Sequence, residues 1–161
     1  MIRPLPFLGT IAAVVLLGFG TVTVAAWFGD GPTGPFPGGR LSGQLVEGAE
    51  PDWKSASAQE TVEVQVGIGN PRSVLACLLL LEGKPCLSVT LAPLKSWHET
   101  ALAEERVTVR IDGKLYERRV RRVTDKETHT ALKAIAFAKY ASYEFGDGWA
   151  GRNLEFLRLA R

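Results

Sequence analysis

Few side chains in this sequence could do chemistry, and their spacing is the first constraint on function. There are two histidines, His98 and His129, both on stretches that read as helices and far apart along the chain. No CxxC, HExxH or similar ligand spacing occurs, so no metal is expected. Gly67-Ile68-Gly69 lacks the third glycine and the following helix of a dinucleotide fingerprint, and Pro71 follows it. It reads as a hairpin loop. No nucleophile elbow supports a Ser/His/Asp triad. A basic run remains: Arg118, Arg119, Arg121 and Arg122, interleaved with Val120 and Val123. On a strand, Arg119 and Arg121 point one way, and Arg118 and Arg122 the other with Val120. Such a strand could grip lipid head groups, a phosphate or an acidic partner. It could equally be an edge strand guarded by charge against aggregation. Trp149, in the glycine loop 146–151, could anchor an interface or tuck back on its own core. With Trp97 and the arginines it forms the set of partner-contact candidates.

The elements that must position these groups are mostly strands. Arg40 to Val46 is a short strand candidate. In Thr61 to Val66, Val62, Val64 and Val66 alternate with Glu63 and Gln65. Val74 to Leu81 is apolar throughout and reads as a strand buried on both faces, and Cys86 to Leu91 returns from it. Val107 to Ile111 and Leu115 to Val123 form a hairpin across Asp112-Gly113, a strong two-residue turn signal. Leu154 to Leu159 closes the set. Ser96-Trp97-His98-Glu99 fits a capping box and starts a short helix to about Glu105. Thr124-Asp125-Lys126-Glu127 repeats the pattern and opens a helix to about Tyr143, on which Leu132, Ile135, Ala136 and Tyr140 share a face. Six or seven short strands with two inserted helices predict a mainly β (α+β) domain, a small barrel.

Cys77 and Cys86 flank the Glu82-Gly83 turn. With that turn central, Cys77 opposes Ser88 and Cys86 opposes Leu79, so the two share a face but sit diagonally. That is poor disulfide geometry and favours free buried thiols over a bridge.

Ahead of the barrel lies the longest uncharged run, Pro4 to Gly29. At about 1.5 Å per residue, Leu5 to Phe28 can cross a hydrocarbon core about 30 Å thick. The competing reading is a cleaved signal peptide, with Val24-Ala25-Ala26 as the cleavage site. The run exceeds an ordinary signal-peptide core, and Trp27 and Phe28 end it where aromatic belts lie. An anchor is therefore the preferred reading. Arg3 at one end against Asp30 at the other places the amino terminus in the cytoplasm and the barrel outside, at a bacterial inner membrane. Gly9, Ala13, Gly18 and Gly20 are small enough for packing against other membrane helices, although small residues are common in spans. The expected organisation is an anchor over 1–28, a Gly/Pro linker over 29–39 and one domain over 40–161. The net charge of +2 carries no nucleic-acid footprint.

The order of segments also carries a resemblance. Arg72-Ser73-Val74, the apolar strand, the Glu82-Gly83 turn, the return strand, Lys95 at a helix start and the run EERVTVRIDGKLYERRVRRVTD resemble the split barrel of the pyridoxamine 5′-phosphate oxidase and flavin-reductase-like superfamily. The lead-in Gly34 to Gly43 resembles that of membrane-anchored bacterial members of unassigned function. The resemblance implies FMN or the deazaflavin F420 at a dimer interface, with Arg72, Ser88, Thr90, Lys95 and Ser96 as the cofactor-binding candidates. Charge and hydroxyls there would donate to phosphate oxygens. The usual hydroxyl cluster before the lysine is replaced by Leu91-Ala92-Pro93-Leu94, which offers no side-chain donor, and Pro93 has no N–H. No cofactor is therefore expected, and the reading leans away from an enzyme. It leans toward an accessory subunit, packing its helix among the transmembrane subunits of a larger membrane complex, an electron-transfer assembly being the guess. A periplasmic FMN- or F420-dependent oxidoreductase is the alternative.

Overall fold

The computed structural model describes residues 5–140 and 153–161, together with part of the side chains of the first helix. Trp149 and the expected helix end at Tyr143 lie outside the described residues. Helix α1 (Leu5–Phe28) has no charged residue. Ile11, Val15 and Leu17 on it are exposed, whereas Ala26 in its last turn is buried. Among the described residues alone, no helix is long and apolar enough to cross a membrane.

Six strands close on one another: β2 (Val62–Val66), β3 (Arg72–Leu81), β4 (Lys84–Val89), β5 (Arg106–Ile111), β6 (Lys114–Arg122) and β7 (Glu155–Ala160). Every neighbouring pair is antiparallel, in the cyclic order β2-β3-β4-β7-β6-β5. Closure leaves these six without a free edge. A two-residue strand, β1 (Gln44–Leu45), adds to β6 in parallel. Both tight hairpins put two successive residues at positive φ, Glu82 at 52° with Gly83 at 75° and Asp112 at 50° with Gly113 at 73°. That conformation matches the right-handed twist of the strands it joins, and it fixes the register Leu81 opposite Lys84 and Ile111 opposite Lys114.

The valines of β2 point into the barrel, as their alternation predicts. There they meet Leu78, Leu87, Val89, Val107, Val109, Val120 and Leu157. A second apolar layer lies outside the wall. Helix α4 (Lys126–Lys139) lays Leu132 and Ala136 on Leu79, Cys86 and Phe156, with Ile135 and Tyr140 packed alongside. This placement explains a departure in β3. The strand is apolar from Val74 on, but its outer face is buried only where α4 covers one end and the Gly38–Gly39 backbone covers Ser73 at the other, and Leu75, between these covers, is 39% exposed.

Several local expectations change. Of Arg40 to Val46, only Gln44 and Leu45 form a strand. The cap of α4 is Asp125, whose carboxylate accepts from the Thr128 N–H at 2.7 Å. Ser96 precedes helix α3 (Trp97–Glu104), but its backbone is already helical and its hydroxyl caps nothing. A capping oxygen reaches the first-turn N–H groups from an extended residue. Glu99, the expected other half of the box, turns instead to Arg122. A further helix, α2 (Trp53–Ala58), is capped by Asp52, and a 3₁₀ turn spans Ala92–Leu94. The cysteine register is as anticipated, Cys77 opposite Ser88 and Cys86 opposite Leu79, and both thiols are free.

Candidate functional site

Where α1 ends, the glycine- and proline-rich segment wraps the outer faces of β2, β3 and β5 as a collar. The Asp30 carboxylate accepts from the Ser42 N–H at 2.8 Å, from the Ser42 hydroxyl at 2.5 Å and from Arg110 Nη1 at 2.6 Å. Arg110 also forks onto Glu63, at 2.5 and 2.8 Å. The Ser42 bonds first, then Arg110, hold the Asp30 carboxyl down at about 2. The bonds to Glu63, followed by those to Asp30, push the Arg110 pKa up. Gly31 sits at φ +90° against this cluster, and a Cβ there would lie 2.6 Å from Arg110 Nη2 and 2.7 Å from Glu63 Oε1. Only glycine combines that conformation with that closeness. Further along, Gly38 and Ser73 exchange backbone hydrogen bonds at 2.8 and 3.0 Å, and the Ser73 hydroxyl donates to the Gly39 carbonyl. The Arg72 guanidinium lies over the Trp27 ring, 3.5 Å from its centroid.

That placement separates Arg72 from the other cofactor candidates. Thr90 and Lys95 do meet, Lys95 Nζ donating to Thr90 Oγ1 at 3.3 Å. Ser88 is buried one step back along the same strand face. The chain positions of the remaining residues did not point to Lys139, whose ammonium donates to the Leu78 carbonyl at 2.9 Å. Partial burial lowers the pKa of both lysines, opposed in each by the nearby Cys77. Lys95 is exposed as a residue, yet its ammonium end leans on the wall closely enough to be desolvated. The Ser96 side chain makes no capping bond. Leu91 adopts a left-handed backbone to enter the 3₁₀ turn, which leaves Leu94 71% exposed. Here the Lys95 ammonium meets the Thr90 hydroxyl, the exposed Ser96 follows, and Leu91 to Leu94 supply no side-chain donor ahead of the lysine.

The arginines of β6 divide as their alternation predicts. Arg118 shares the inward face with Tyr116 and Val120 and is only 6% exposed. It donates to the Glu50 carboxylate at 3.0 Å and to the Ala49 carbonyl at 3.1 Å, and its Nε has no partner. It holds α2 to the barrel and offers little to a partner, so it leaves the set of contact candidates. Arg122 bridges Glu155 at 2.5 Å and Glu99 at 2.8 Å. His98, buried beside them, puts Nε2 3.1 Å from Glu99. His98, Glu99 and Glu155 are the one grouping among the described residues with metal-ligand geometry, but the Arg122 guanidinium already supplies its cation. Trp97 is half-buried against the barrel core, edge-on to His98. Arg119 and Arg121 are exposed. On α1, Ala13, Gly18 and Gly20 are also exposed, and a Cβ at either glycine would meet nothing within 4 Å.

No protein-family model matches the chain, and no curated protein does. Solved structures do. HutZ, the heme storage protein of Vibrio cholerae, matches with a TM-score of 0.51 at 10% identity over 67% of this chain and 84% of that one. An FAD-binding protein from Mesorhizobium loti matches with a TM-score of 0.48 at 15% identity, over 66% of this chain and 83% of that one. A NimC/NimA family protein from Clostridium acetobutylicum gives 0.48 at 14% identity, over 68% and 83%. The similarity to HutZ, together with the six-strand closure, establishes the fold as a split β-barrel.

Proposed function

We propose that the protein is a membrane-anchored accessory subunit, its barrel mounted at the outer end of α1 on the periplasmic face of a larger membrane assembly. The observation that carries this reading is the collar. An enzyme on a tether can work at the end of a flexible linker. Here Asp30, Arg110 and Glu63, with Trp27 under Arg72, fasten the barrel against the last turn of α1. A fixed mount presents one side of the barrel to whatever lies beside the helix, as a structural component requires. The uncharged helix with Gly9, Ala13, Gly18 and Gly20 supports close packing with other spans. Arg72, the candidate phosphate ligand, is engaged elsewhere.

The test is gentle extraction from membranes, followed by native mass and an absorption spectrum on the same sample. Co-migration with a much larger complex, with no stoichiometric flavin band, supports the reading. A small, solitary species overturns it.

A second reading rests on the Lys95–Thr90 contact with Lys139 near by. In it, the barrel binds FMN or F420 and the bound cofactor supplies the redox chemistry, while these residues hold its phosphate. Titration of the purified chain with FMN and, separately, with F420 decides. Tight binding abolished by Lys95→Ala and Lys139→Ala supports this reading, and absence of binding ends it.

A further inference from the structure

The outward arginines of β6 are not accounted for by the collar, the anchor or the barrel core. A charged edge strand protects against aggregation, but β6 is not an edge. It is hydrogen-bonded to β5 on one side and to β7 on the other. Its register makes the charge costly. Arg119 lies directly opposite Arg106 on β5, and Arg121 directly opposite Arg158 on β7. Like charges placed directly across a ladder destabilise it. Relief from neighbours is slight. Arg106 has one loose pair with Glu117, at 3.7 Å, both half-exposed. Arg158 lies directly opposite Cys86 across the β4–β7 ladder, and its charge reaches Asp125. No ion pair reaches Arg119 or Arg121 among the described residues.

Arg106, Arg119, Arg121 and Arg158 thus make a cationic face on the wall formed by β5, β6 and β7. Arg110, held by the collar, marks the end nearest α1. Arg106 stands four residues along the same strand, about 13 Å away at a strand's rise. Arg121 lies further on. The face is thus separate from the collar contacts, and four guanidiniums side by side on a strand wall complement a run of carboxylates. We infer that it receives an acidic segment of a protein partner, whose carboxylates pair in forked geometry with the guanidiniums. The inference rests on the reading of the chain as a component of an assembly and names the surface through which it engages.

The experiment uses the full chain in neutral detergent and a fluorescein-labelled oligoglutamate peptide as probe. Anisotropy should report salt-sensitive binding, lost in the double variant R119E/R121E. An R119T variant should bind more weakly and yet unfold at a higher denaturant concentration, because the opposed Arg106 is relieved. A merely structural arginine would move stability the other way. Equal peptide affinity in wild type and R119E/R121E overturns the inference. So does the absence of peptide binding to wild type together with binding to phosphatidylglycerol vesicles that R119E/R121E abolishes, which would make lipid the occupant. Native mass keeps the two readings apart. If wild type and R119E/R121E both co-migrate with a large complex, the acidic-segment inference fails and the accessory role stands. If wild type migrates alone, the accessory role fails, and the peptide data decide the arginine face.

Discussion

Arg72 stacks on Trp27, guanidinium to ring centroid 3.5 Å, and so joins the first residue of β3 to the last turn of α1. The sequence places these residues 45 positions apart (72 − 27), and it is the collar that returns the chain to bring them together. A partly exposed cation–π pair contributes about 0.5–2 kcal/mol. Trp27→Ala and Arg72→Ala should each lower the unfolding midpoint, and the double variant should lose less than the sum. A denaturant double-mutant cycle in detergent measures the coupling. Additive losses would show that the contact does not join the two elements.

The collar should open with acid. Asp30 is held from its ordinary 3.8 down to about 2, chiefly by the Ser42 hydrogen bonds and then by Arg110. A depressed folded-state pKa stabilises above the unfolded value, and the contribution is lost as pH falls through the folded one. Between about 3.8 and about 2, pepsin should begin to cut within residues 29–43. Asp30→Asn should be cut throughout that window with no step. Asp30 is half exposed, so its loss should lower global stability by less than about 1 kcal/mol. Pepsin resistance unchanged across the window would mean that Asp30 does not hold the collar.

How much of this was legible in the sequence depends on the range of the signal. The hairpin at Asp112-Gly113 and the β2 alternation were readable because turn chemistry and side-chain period act over a few residues. The division of Arg118 and Arg122 from Arg119 and Arg121 followed from the same two-residue period. The collar was not readable. Gly29 to Gly39 has the composition of a flexible linker, and it is fixed by partners far along the chain, Arg110 for Asp30, eighty positions on, and Ser73 for Gly38 and Gly39. The same limit applies at the cofactor candidates. Position along the chain grouped Arg72 with Lys95, but Arg72 lies at the far end of β3, and Lys139 enters from a helix that no motif connects to Lys95. Burial of Arg118 was hidden for a similar reason. Its acceptors, Glu50 and the Ala49 carbonyl, precede α2, a helix too short to show a period.

The two thiols should differ sharply in reactivity. Cys86 is fully buried, and burial pushes its pKa up, against the opposing charge of Arg158. Cys77 is half-buried. The thiolate is the reactive form, so iodoacetamide should modify one site per native chain, Cys77, and reach Cys86 only after unfolding. Peptide mass spectrometry reads this directly. A native mass lower by two hydrogens and resistant to alkylation would instead reveal a bridge that the diagonal register disfavours.

Arg118 offers the clearest separation of packing from charge. Its side chain is 6% exposed, pairs with a Glu50 that is 42% exposed, and carries a buried Nε without a partner. Breaking a fully buried pair costs about 3–5 kcal/mol. Glu50 keeps Trp53 Nε1 at 2.7 Å and Arg161 Nε at 2.7 Å, so the loss here should be smaller. Arg118→Ala should cost about 2 kcal/mol, from the stranded acceptors and the lost stem packing. Arg118→Met retains the stem and removes the unsatisfied Nε, and should cost less than about 1 kcal/mol, since apolar replacement of a buried ion pair is often neutral. Urea unfolding with an unchanged slope tests both. Oligoglutamate binding should be the same in Arg118→Met as in wild type, because the inward guanidinium does not reach the outer face. Equal destabilisation by Ala and Met would show instead that the charge itself, and not the packing of its stem, holds α2 against the barrel.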